Sequence, residues 1–143
     1  MYQLTKTLGS KISKQIDRNF DEQVKFLAEL VQTKSVNPGE KANRSTEVEV
    51  KVAKLIRGRL GEFGLRAKYL RARSGRPNLL AVWGPARSRK SLLLVGHMDT
   101  GDVNEAEVNS PFSGVVRDGR LYGLGVLEMK ATLAAYVFAY KTL

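Results

Sequence analysis

Two residues carry the chemistry this sequence offers most directly: His97, its only histidine, and Asp99 two positions on. An imidazole nitrogen is a good ligand for zinc or cobalt. A carboxylate two residues away can accept the other ring N–H and so fix the tautomer and orientation of the ring. A His-x-Asp pair alone is common, and its surroundings decide what it means. Directly before it stands Leu92-Leu93-Leu94-Val95-Gly96. An apolar run of this kind, from Ser91 to Gly96, reads as a central strand buried on both faces. The polar pair then falls where that strand ends and its loop begins, which is where open α/β sheets hold ligands.

Three segments around the pair resemble the amino-terminal part of the M20 family of metallopeptidases and amidohydrolases. They are Gly96-His97-Met98-Asp99-Thr100, the stretch from Pro111-Phe112-Ser113-Gly114 through Asp118-Gly119-Arg120-Leu121-Tyr122-Gly123, and Gly125 to Lys130. Ser35-Val36-Asn37-Pro38 is similar to the turn after that family's first helix. The family includes acetylornithine deacetylase, succinyl-diaminopimelate desuccinylase, aminoacylase-1 and carboxypeptidase G2.

The resemblance implies hydrolysis of an amide in an N-acyl amino acid or peptide, assisted by two divalent ions about 3.5–4 Å apart. It makes His97 a metal ligand and Asp99 its catalytic-site carboxylate. Glu128 stands where the family has an aspartate bridging the two metals. Its extra methylene carries the oxygens outward by about 1.5 Å, so one ion of zinc or cobalt, or none, is expected here. The peptide bond after residue 128 is implied to be a non-proline cis bond. The implied fold is a layered α/β/α sandwich with a mostly parallel sheet and a hairpin edge.

The sequence also departs from the family pattern. Leu124 replaces a frequent arginine, Ala131 a frequent glycine, and Gly101-Asp102 a common Val-Pro, and no tryptophan precedes Pro111. The family's general-base glutamate, its further acidic ligands and a final histidine have no counterpart in these 143 residues. Zinc wants about three protein ligands even when catalytic. The chain is therefore expected to be a truncated amino-terminal part of a catalytic domain, inactive alone and without the lid domain that would allow a homodimer. Residues 1–20 would be a helical extension. The rival expectation is a degenerate, non-catalytic interaction module.

Composition narrows the remaining classes. A hydrophobic content of 43% suits a globular domain. No run approaches the roughly 18 apolar residues of a membrane span. Cysteine is absent, which excludes thiolate metal sites and disulfides and suits a reducing cytoplasm. The net charge of +10 is lopsided: residues 1–90 hold 20 of the 24 basic side chains, and residues 91–143 are mildly acidic. Charge alone would permit nucleic-acid binding, but no recognition motif supports it.

The elements that must position the pair follow from periodicity. Leu4, Leu8, Ile12, Ile16 and Phe20 repeat every four residues, giving a basic amphipathic helix expected to dock on the core. Arginine is too scarce there for a transit peptide. A second helix is expected over Glu22–Val31, ended by Asn37-Pro38-Gly39. A third is capped by Ser45 or Thr46, turns Val48, Val52, Leu55, Ile56 and Leu60 inward, and stops at Gly64. Leu65–Arg71 and Asn78–Trp83 read as strands joined by a Ser74-Gly75-Arg76-Pro77 turn. Asp118-Gly119 predicts a type I′ hairpin over 115–122. A last helix from about Lys130 has Leu133, Ala134, Val137 and Phe138 inside.

Overall fold

The computed structural model describes residues 6–37, 48–73, 75–103 and 110–143, and only the backbone of 71–73. Leu4, the Pro38-Gly39 stop, the Ser45/Thr46 cap, Ser74 and most of the 101–110 loop lie outside the described residues. The architecture is mixed α/β. Three helices, α1 (Lys6–Gln32), α2 (Val50–Glu62) and α3 (Ala131–Thr142), share a core, and two antiparallel hairpins lie beside them.

α1 joins the first two expected helices into one, because no proline or glycine interrupts residues 10–32. Its carboxy-terminal half buries Phe26, Leu30 and Val31. Its amino-terminal half does not dock as expected: Leu8, Ile16 and Phe20 stay exposed, and burial begins only at Asn19. α2 buries Val52, Ala53, Ile56 and Leu60 along one stripe. It ends as expected at Gly64. With φ +85°, Gly64 sends its N–H to Gly61 O at 3.0 Å, and Leu65 N–H reaches back to Leu60 O at 2.8 Å.

β1 (Ala67–Arg73) pairs antiparallel with β2 (Arg76–Ala81). The connection is tighter than the sequence suggests. Gly75, at φ +72°, closes it, so Arg76 and Pro77 are the first residues of β2 and not part of the turn. β3 (Val115–Arg117) and β4 (Arg120–Tyr122) form the second hairpin, with Asp118 and Gly119 both at positive φ, as a type I′ turn requires.

The mostly parallel sheet is not what the described residues form. Their one parallel pairing is an isolated bridge between Val36 and Thr100. Ser91–Gly96 is correspondingly not a central buried strand: it has no ladder partner among the described residues, and Leu92 is 84% exposed. At its end Gly96 lies so close to α3 that a Cβ would meet Leu133 Cδ2 at 2.9 Å. Strand identity depends on neighbours that an apolar run cannot itself specify.

All four residues expected inside α3, Leu133, Ala134, Val137 and Phe138, are buried. Phe138 is the hub, with its ring centroid 6.1 Å from Phe26 and 5.3 Å edge-on from Phe63. Ahead of α3, Lys130 is buried and donates from Nζ to the Thr33 carbonyl at 2.8 Å, joining this turn to the end of α1. Burial pushes the Lys130 ammonium down to about 8.

Two outcomes are expected. Phe138→Ala lowers unfolding stability by about 3–5 kcal/mol in urea titrations, because three helices lose their shared ring. Between pH 8 and about 10.5 the unfolded chain binds a proton at Lys130 that the folded chain has released. Stability from this group therefore rises with pH across that window, and Lys130→Met removes the rise.

Candidate functional site

The site is built on a clip of two main-chain hydrogen bonds. Thr100 N–H donates to Ser35 O and Asn37 N–H donates to Thr100 O, each at 2.8 Å. This is the parallel bridge between the segment leaving α1 and the segment carrying His97 and Asp99. Ser35 and Thr100 are buried beneath it. Gly125, at φ +75°, lets the next turn lie against Thr100, since a Cβ there would run into Thr100 Cγ2 and approach Glu128 O at 3.3 Å. Residues 126–130 then make a wide turn closed by Lys130 N–H to Gly125 O at 2.9 Å. The Glu128–Met129 peptide bond is cis, as the resemblance implied.

This scaffold brings His97, Asp99 and Glu128 to one face. His97 Nδ1 lies 3.1 Å from Asp99 Oδ1 and 3.0 Å from the Asp99 carbonyl oxygen. Carboxylate and carbonyl oxygens only accept, so Nδ1 carries the proton of the neutral ring and donates it. Nε2 is left with its lone pair and lies 3.9 Å from Glu128 Oε1. Met129 reinforces the placement, its Sδ accepting from the His97 main-chain N–H at 3.3 Å. The three side chains differ in solvent access: Asp99 is 20% exposed, His97 46% and Glu128 87%. Orientation is thus set from the protein side, and the free nitrogen and Glu128 face solvent.

Three further residues act on Asp99 and were not singled out from sequence. Asn37 Nδ2 donates to Asp99 Oδ2 at 2.6 Å. Arg76 Nη2 donates to the same oxygen at 3.3 Å, and Arg76 also pairs with buried Glu49, its Nε donating to Glu49 Oε1 at 2.7 Å. The Glu49 hydrogen bond holds the Arg76 guanidinium still further toward its charged form, against the cost of desolvation and with the help of both carboxylates' charge. Asn37 could have been found in the family-like turn after α1. Arg76 and Glu49 carry no motif, and a basic residue read as part of a turn gives no sign that it reaches a carboxylate.

The donor set fits a divalent cation in part. An imidazole nitrogen whose partner N–H is held by a carboxylate is the arrangement that orients metal-bound histidines. Glu128 supplies a hard oxygen on the same side. Among the described residues, no group of three or more His, Asp or Glu side chains could hold a metal ion. On this face His97 Nε2 and Glu128 Oε1 are two potential donor atoms 3.9 Å apart.

Residues 93–143 match the family described as Peptidase family M20/M25/M40. Among curated relatives, succinyl-diaminopimelate desuccinylase 2 of a Ruegeria species is 34% identical over 119 residues, covering 81% of this chain and 27% of that protein. Succinyl-diaminopimelate desuccinylase of Cereibacter sphaeroides is 39% identical over 69 residues, 47% of this chain and 18% of that protein. N-formyl-4-amino-5-aminomethyl-2-methylpyrimidine deformylase of Halalkalibacterium halodurans is 44% identical over 71 residues, 47% of this chain and 17% of that protein. The chain spans about a quarter or less of the length of these relatives. No described helix is long and apolar enough to cross a membrane.

The clip makes Gly125 a sensitive position. Gly125→Ala combines a strained φ with a collision at Thr100 and is expected to lower stability by about 1–3 kcal/mol. It should also shift the His97 ring signals in a histidine-selective spectrum, which a purely remote destabilisation would leave in place.

Proposed function

We propose that this chain carries the amino-terminal share of the metal site of an M20-type amide hydrolase. In this reading His97 Nε2 is a metal ligand, Asp99 is the carboxylate that fixes its ring, and Glu128 is the second donor from this chain. One observation carries the proposal: Nδ1 of the lone histidine is engaged by two acceptors of Asp99, so that Nε2 is free beside Glu128. When bound, zinc or cobalt would polarise the scissile carbonyl and ease ionisation of water. The chain's own residues then have defined tasks. Asp99 holds the ring, the Thr100 clip holds Asp99, and Glu128 brings a negative charge to the open side.

The substrate class we propose is a small N-acyl amine, most directly an N-acyl amino acid. The names of these relatives, two desuccinylases and a deformylase, share removal of an acyl group. The remaining donors and the general base would come from sequence that the relatives possess and this chain does not match.

Zinc or cobalt added to the ¹⁵N-histidine-labelled chain should perturb Nε2 of His97 and leave Nδ1 protonated. Glu128→Ala should weaken that binding by at least about tenfold, and His97→Ala should abolish it. Metal appearing at Nδ1, or binding that ignores both substitutions, would sink the assignment. Catalysis is tested by fusing the chain to the carboxy-terminal part of the Ruegeria desuccinylase and supplying Co²⁺ with an N-succinyl or N-acetyl amino acid. Turnover in the fusion supports the hydrolase reading. No turnover, either with Glu128 or after Glu128→Asp, would leave a non-catalytic interaction module.

A further inference from the structure

We propose that Arg76, anchored by Glu49, is a positioning residue for His97: it holds Asp99 in the orientation that keeps the ring proton on Nδ1. The inference rests on the metal-site reading for its purpose, but its geometry stands independently. Asp99 divides its carboxylate between two tasks. Oδ1 accepts from His97 Nδ1, and Oδ2 accepts from Asn37 Nδ2 at 2.6 Å and from Arg76 Nη2 at 3.3 Å. Rotating the carboxylate to release the histidine would break both bonds to Oδ2. Both bonds end on an ionised carboxylate; the one from Asn37 is the shorter, and Arg76 adds a full positive charge that Asn37 lacks.

Arg76 can act this way because it is itself fixed. It is the first residue of β2, directly after the Gly75 turn, so its main chain is set by the β1–β2 hairpin. Both Nε and Nη2 of its guanidinium engage Glu49 Oε1, at the amino-terminal edge of α2. Glu49 is buried, and its other oxygen, Oε2, has no hydrogen-bond partner among the described residues. A buried carboxylate with one free oxygen depends on its counter-ion, which ties Arg76 to this place. The result is a chain of contacts, Glu49–Arg76–Asp99–His97, that links α2 and β2 to the imidazole. Lysine would not reproduce it: an ammonium is a single point donor and cannot span two carboxylates with a rigid planar fork.

The sequence makes the test clean, because His97 is the only histidine and gives the only imidazole signals. Long-range ¹H–¹⁵N spectra of the labelled 143-residue chain, taken at alkaline pH with the ring neutral, report the tautomer directly. The wild-type ring should be predominantly Nδ1–H. Arg76→Gln should lower the ratio of Nδ1–H to Nε2–H by about three- to tenfold, the scale of one ordinary hydrogen bond's net contribution. Arg76→Lys should restore part of the loss, and Glu49→Gln alone should leave the ratio closer to wild type than Arg76→Gln does, since Arg76 keeps Asp99. If Arg76→Gln unfolds by stranding Glu49, the Arg76→Gln/Glu49→Gln double variant removes that buried charge and serves as the second arm. A wild-type tautomer ratio in whichever of Arg76→Gln and the double variant folds overturns the inference, whether or not the chain binds metal. Conversely, zinc that leaves Nε2 unperturbed in the wild type overturns the metal reading and not the positioning role.

Discussion

The two hydrogen bonds that clip Thr100 between Ser35 and Asn37 are the constraint on which the rest of the site depends. Each is an ordinary main-chain bond, contributing about 0.5–1.5 kcal/mol net. Their importance lies in what they register. They fix the exit of α1 beside the segment that holds His97 and Asp99, and every other contact of the site is hung from that register. Asn37, one residue past the bridge, reaches Asp99. Lys130, buried, ties the turn after Gly125 to Thr33 at the same exit. Gly125 lets that turn rest on Thr100, which places Glu128 across from the imidazole.

Burial and charge divide the labour on either side of this clip. Behind it, Phe26, Phe63 and Phe138 close a compact aromatic centre between the three helices. Within it, charges come in alternating sign from Glu49 through Arg76 to Asp99, each partly shielded from solvent and each restrained by the next. In front of it, the free imidazole nitrogen and Glu128 are open to water. Screening by solvent weakens that last pair, and its placement owes little to mutual attraction. The scaffold holds both side chains from behind and leaves their outward faces for a ligand.

The parts of this arrangement that were legible in the sequence are those fixed by local physics. The inward faces of α2 and α3 follow from 3.6-residue periodicity, and the β3–β4 hairpin follows from Asp118-Gly119, whose positive φ values suit no ordinary residue pair. The convergence of His97, Asp99 and Glu128 came from ordered motifs and family likeness, and the structure brings the three together. What failed depends on distant neighbours. Leu92–Val95 reads as a buried strand, yet no strand lies beside it among the described residues and its side chains are exposed. Leu8, Ile16 and Phe20 make a good stripe, yet all three stay exposed among the described residues. Arg76 looked like turn filler because its two carboxylate partners are 27 and 23 residues away.

The central claim is that the protein prepares one imidazole nitrogen, and not the other, for a ligand on the Glu128 side. Anomalous scattering at the zinc edge from crystals grown with Zn²⁺ tests it most directly. The account predicts a peak about 2.0–2.1 Å from His97 Nε2, on the side of Glu128, with Asp99 still bonded to Nδ1. A peak on Nδ1, or crystals in which Asp99 has left the ring and turned wholly to Arg76, would contradict it.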